Sequence, residues 1–258
     1  MLYQLKSYLF FLLKSKNRHG VHSPFVYHIV TQCFNNKKHK KWYNTLFNYR
    51  KALLNNSTII TIEDFGAGSK SLKSNQRKVS SIAKNAGITN KRAQLLGRLS
   101  NYLEATTILE IGTSVGLATA SLSLANPNSS IISLEGCNNT ATIAKDNFEK
   151  FDLKNIKIII GNFNKTLPQA LTNTTFDLVF FDGNHQKQPT IDYFEQCLPH
   201  INNNSVFIFD DIYWSNGMQE AWQYIKNHTK VTVSIDTFYW GIVFFRREQE
   251  KEHFVIRI

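Results

Sequence analysis

Acidic side chains are nearly missing from the first 103 residues. Only Glu63 and Asp64 stand there, against 18 Lys and Arg. Residues 104–258 reverse the balance, with 17 acids and 12 Lys and Arg. The split predicts either an anionic partner for the first part or a basic segment packed on an acidic domain. Cysteine is also scarce. Cys33, Cys137 and Cys197 form no C-x-x-C pair and give no disulfide framework, which predicts a reducing, cytoplasmic setting. Long apolar runs are wanting too. The N-terminal run Leu9–Leu13 lies between Lys6 and Lys14, is too short to span a bilayer, and is followed by no small-residue cleavage site, so neither a transmembrane segment nor a signal peptide is expected.

What is present is a chain of 258 residues, 42% hydrophobic and 13% aromatic, enough for one large α/β core. Its most informative stretch is Thr107–Gly136. The apolar run Ile108–Ile111, broken only by Glu110, reads as a buried parallel strand. A small-residue turn, Gly112-Thr113-Ser114-Val115-Gly116, leads to a helix-forming run, Leu117–Ala125, stopped at Asn126-Pro127. A second β-rich run, Ser130–Leu134, ends in Glu135-Gly136. Such a turn lets a ligand approach the backbone, and the helix N-terminus offers free N–H groups. An acid closing the second strand can accept from both ribose hydroxyls. Ser114 stands where a dinucleotide fingerprint has its middle glycine, which counts against a nicotinamide site.

The pattern Glu110-x-Gly112-x-x-x-Gly116, with Glu135 after the next strand, resembles motif I of the class I S-adenosylmethionine (SAM) methyltransferases. The resemblance implies a Rossmann-like, mostly parallel seven-stranded sheet flanked by helices, with an antiparallel final hairpin and strand order 3-2-1-4-5-7-6. It implies a cofactor pocket of Glu110, Gly112, Thr113, Ser114, Gly116, Glu135, Gly136, Asn162 and Asp182. Asn162 takes the place that faces adenine in the family, with a plain turn as the alternative. The segment Asn17–Tyr27 resembles the N-terminus of a bacterial subgroup with no settled substrate. Its His19 and His22 read as turn and packing residues. Residues 1–90 are expected to form a basic, mostly helical extension, and 91–258 the SAM-binding domain. Within the extension, Gly66-x-Gly68 lacks a following acid, because Phe65–Leu103 contains none, and reads as a turn in a basic loop rather than a second cofactor site.

The remaining chemistry lies at two later strand ends. Phe176–Phe181 is followed by Asp182, Gly183, Asn184 and His185, and Ser205–Phe209 by Asp210 and Asp211. Ligands of open α/β sheets bind at the carboxyl edge. Asp182, Asp210 and Asp211 resemble the acid set of metal-dependent O-methyltransferases of the catechol, caffeoyl-CoA and macrocin types, which implies a divalent cation, Mg²⁺, Mn²⁺ or Ca²⁺, on oxygen ligands. Asn184 replaces the further acid that serves as base in the macrocin type, leaving His185 as the candidate base beside Asp182, or as a packed or capping histidine. No Asn/Asp-Pro-Pro-Tyr/Phe stretch and no Pro-Cys nucleophile is present, which favours oxygen as the methyl acceptor. The expected activity is O-methylation of a small molecule. An RNA-modifying enzyme using the basic part, and a non-catalytic SAM-binding protein, are the alternatives. Oligomeric state is open, a homodimer included.

Overall fold

A computed structural model of the chain describes residues 2–36, 38–63 and 74–258. The glycine pair at 66 and 68 and most of its basic loop lie outside the described residues. The chain opens with α1 (Leu2–Lys14) and α2 (Pro24–His28), then a π-helical continuation, Ile29–Phe34. Next come α3 (Trp42–Leu54), β1 (Ile59–Thr61), β2 (Gln76–Lys78), α4 (Val79–Asn85) and α5 (Asn90–Tyr102). Strand and helix then alternate: β3 (Thr107–Ile111), α6 (Leu117–Ala125), β4 (Ser130–Glu135), α7 (Asn138–Lys150), β5 (Ile156–Ile160), α8 (Phe163–Leu171), β6 (Phe176–Phe181), α9 (Lys187–Cys197), β7 (Ile201–Asp210) and α10 (Asn216–Asn227). The chain closes with β8 (Val233–Asp236), β9 (Trp240–Phe244) and β10 (Glu252–Val255). No described helix is long and apolar enough to cross a membrane.

Local chemistry sets the ends of these elements. The Ser23 hydroxyl accepts from the Val26 N–H and Pro24 occupies the first helical position, so α2 starts where the sequence predicts. Thr89 and Ser215 cap α5 and α10 in the same way. His19 is exposed in a short turn capped by Asn17, in keeping with a turn role.

Two compact units divide the chain: Met1–Asn36 with Asn173–Ile258, and Lys37–Thr172. Residues up to 36 group with the C-terminal part, and those from 37 with the motif I region. In the Lys37–Thr172 unit, β3 pairs in parallel with β4, and β4 with β5. Helix α5 packs closely on α6. A Cβ at Gly97 would lie 2.8 Å from the Ser121 hydroxyl and 2.6 Å from the Trp42 ring, so only glycine fits. In the other unit β6 runs parallel to β7, β7 antiparallel to β9, and β9 antiparallel to β8. The expected order holds within each unit, β5-β4-β3 in one and β6-β7-β9-β8 in the other. The fold class is the expected one: mixed α/β, Rossmann-like, mostly parallel strands flanked by helices and an antiparallel final hairpin. Elements not anticipated include β2, which lies where the sequence reads as a basic loop, α8, which contains Pro168, and β10, which adds a parallel edge strand to β8.

Candidate functional site

The motif I turn is held from three sides. Gly112 (φ 109°) and Thr113 both donate their N–H to Leu134 O, at 2.9 and 3.0 Å, which lays the turn across the end of β4. Ser114 has φ 49° and donates its N–H to Glu135 Oε2 at 2.6 Å, and the Cys137 N–H donates to Oε1 at 2.9 Å. Burial raises the Glu135 pKa, and the N–H groups of Cys137 and Ser114 oppose that rise. Gly116 is left-handed (φ 79°), and the space a Cβ would occupy is filled by the Tyr49 hydroxyl and the Phe148 ring, each 2.6 Å away. Tyr49, from α3, is fully buried and donates to Val115 O at 3.0 Å. The glycine at 116 is thus dictated by packing beneath the turn as well as by backbone geometry.

Glu110 is wholly buried. Its Oε2 accepts from the hydroxyls of Thr119 and Ser133, and Thr113 and Ser133 share a further hydroxyl hydrogen bond. Among the described residues, its Oε1 has no hydrogen-bond partner. Burial pushes its pKa up to about 7, partly offset by the Ser133 and Thr119 hydrogen bonds, with the Glu135 charge adding to the rise. Glu110 therefore ties β3, β4 and α6 together from inside. Asn162 caps α8, its side-chain oxygen accepting from the Asn164 N–H at 2.9 Å.

In the other unit, the acids that end β6 and β7 are brought level by strand register, since Phe181 pairs with Phe209 one residue before each. Asn184 and His185 have positive φ, 72° and 44°, so the chain turns sharply after β6. His185 Nε2 lies 3.6 Å from Asp182 Oδ1, with the side chains 24% and 21% exposed. Burial lowers the His185 pKa from its ordinary value, against the pull of the Asp210 charge, which favours the neutral imidazole. Its ring lies 6.4 Å from that of Trp214. Asp210 is buried, and its Oδ1 accepts from the Trp240 indole at 2.7 Å. Asp211 (φ 53°) receives the Trp214 N–H on its carbonyl at 2.8 Å. Among the described residues, no group of three or more His, Cys, Asp or Glu side chains is placed to hold a metal ion.

Tyr49, Thr119, Ser133 and Trp240 support the site without standing out in the sequence. Ser133 stands opposite Glu110 once β3 and β4 are aligned, and Trp240 opposite Asp210 once β7 and β9 are. Register was the signal. Tyr49 leaves no such signal, because α3 is remote in sequence from the turn it supports.

Residues 109–212 match the family described as methyltransferase domain. Solved structures share the fold. The SAH-bound methyltransferase PaMTH1 of Podospora anserina is 12% identical, with TM-score 0.60, covering 88% of this chain and 97% of that one. The O-methyltransferase TomG of Streptomyces achromogenes, in complex with SAM, is 17% identical, with TM-score 0.57, covering 84% and 95%. An O-methyltransferase from Bacillus cereus in complex with SAH is 18% identical, with TM-score 0.56, covering 83% and 95%. No curated protein is significantly similar in sequence. Residues 109–212 thus resemble a methyltransferase domain, and the chain shares its fold with solved methyltransferases, O-methyltransferases among them.

Proposed function

We propose that this protein transfers a methyl group from SAM to an oxygen of a small molecule. The observation that carries the reading is the Glu135 carboxylate, anchored at the end of β4 by the N–H groups of Ser114 and Cys137. A carboxylate offers about four acceptor positions and can accept from a ribose diol beside these N–H groups. The chain suits SAM on this count, and the fixed, positive-φ turn from Gly112 to Gly116 supports the same reading. Glu110 is enclosed by Thr119 and Ser133, and its part is to hold that turn rather than to touch the cofactor. Gly136 and Asn162 follow the ends of β4 and β5, and Asn162 offers its amide to adenine while its oxygen caps α8.

Bound SAM supplies an electrophilic methyl on a sulfonium. His185, whose neutral form burial favours, takes the proton of the acceptor hydroxyl at an imidazole nitrogen, and Asp182 stabilises the imidazolium that forms. Trp214 and His185 give the acceptor two rings to lie against. A divalent cation on Asp182, Asp210 and Asp211 is a second reading, favoured by the register that aligns the ends of β6 and β7. On that reading Asp182, Asp210 and Asp211 would hold the cation, which would lower the pKa of the acceptor hydroxyl. The comparisons favour neither an RNA-modifying enzyme nor a non-catalytic SAM-binding protein. The test is calorimetric titration with SAM, followed by transfer of labelled methyl to a panel of phenols, hydroxy acids and RNA. A chain that does not bind SAM, or that labels RNA alone, removes the reading.

A further inference from the structure

Helix α1 is apolar on both faces. Inward, Ser7 and Phe11 are buried, the Phe11 ring lies 5.6 Å from that of Phe238, and the Tyr3 hydroxyl donates to Gln219. Outward, Leu5, Leu9 and Leu13 recur at every fourth position, 58%, 55% and 82% exposed, with Phe10 beside them at 53%. A helix that merely caps a soluble unit presents polar side chains on that side. Single exposed leucines need no explanation, but a continuous row of four large apolar side chains on one helix face marks a contact surface. The charge around the row has one sign. Lys6 lies on the same face with its ammonium 5.9 Å from the Phe10 ring, and Lys14, Lys16 and Arg18 follow at the C-terminal end, all exposed. No acid precedes Glu63 in the chain.

We propose that the outward face of α1 docks on an anionic lipid surface. Leu5, Leu9, Phe10 and Leu13 enter the boundary between headgroups and acyl chains, while Lys6, Lys14, Lys16 and Arg18 reach lipid phosphates by extending their long stems. Charge selects this occupant. Two α1 faces brought together would oppose lysines with no acid on either helix, whereas an anionic bilayer complements them. The contact would bring the protein to acceptors at a membrane surface, a consequence that rests on the methyl-transfer reading.

The test is co-sedimentation of the full-length chain with phosphatidylglycerol–phosphatidylcholine vesicles and with phosphatidylcholine alone. The expected result is binding to the anionic vesicles only, falling as salt rises, and weakened by about tenfold or more in a Leu9→Glu, Leu13→Glu double variant whose circular dichroism is unchanged. Absence of binding, equal binding of the double variant, or a salt-independent interaction overturns the proposal. So does a wild-type dimer in sedimentation velocity that the double variant dissolves, because it assigns the face to a second copy. Should the double variant not fold, Lys6→Glu and the salt titration of the wild-type chain decide the matter by the same criteria.

Discussion

The Glu135 carboxylate receives the backbone N–H of Ser114 at 2.6 Å from 21 residues along the chain, closing the motif I turn onto the end of the neighbouring strand. One side chain thus has two tasks, to fix the turn and to present its remaining lone pairs.

Replacing it separates the two. Glu135→Ala is expected to weaken SAM binding by about 1–3 kcal/mol, since the ribose hydroxyls and two N–H groups lose their acceptor. Glu135→Gln keeps the size and part of the accepting capacity, so its loss should be smaller. Calorimetry that finds the Ala variant folded and unchanged in affinity removes Glu135 from the cofactor site.

Glu110 predicts a pH dependence of stability. Its folded pKa is raised to about 7 from an unfolded value of 4.5, so the folded state binds the extra proton between those values. Stability from this group is therefore highest at the acid end and declines as pH rises from about 4.5 to about 7, by an amount on the order of 3 kcal/mol. Glu110→Gln cannot titrate and should flatten that decline. Urea unfolding of both proteins between pH 5 and 8 checks it. Parallel pH profiles would show that Glu110 does not titrate in this window.

His185 predicts a kinetic profile. With its pKa lowered by burial, the rising limb of kcat/KM should lie below pH 6.5, because protonation removes the base. His185→Ala should cost about 10²–10⁴-fold in turnover while SAM affinity stays near wild type. An unaltered rate in the variant would assign proton removal to water or another group.

Chelation tests the cation. Turnover is expected to survive exhaustive EDTA treatment, since Asp182 lies beside His185 and Asp210 is engaged by Trp240. Activity lost in EDTA and restored by Mg²⁺ or Mn²⁺ would give the three acids the role that their sequence pattern suggests. Asp210→Asn would then abolish turnover rather than mainly disturb the β7–β9 pairing.

The sequence alone determined the alternation of strands and helices from Thr107 onward, the motif I turn, and the acids at the strand ends. These are written locally, in apolar runs, glycines and caps spaced by the period of each element. It did not determine α8, whose nine residues include Pro168, or β10, a short strand that exists only by pairing with β8. Nor did it decide what the acids do. Glu110 turns inward to Thr119 and Ser133, and Asp210 is taken by Trp240, because parallel and antiparallel registers place distant residues opposite them. A strand's pattern says which face a side chain takes; only the pairing of strands decides which partner meets it there, and with that whether a carboxylate serves a ligand or the fold.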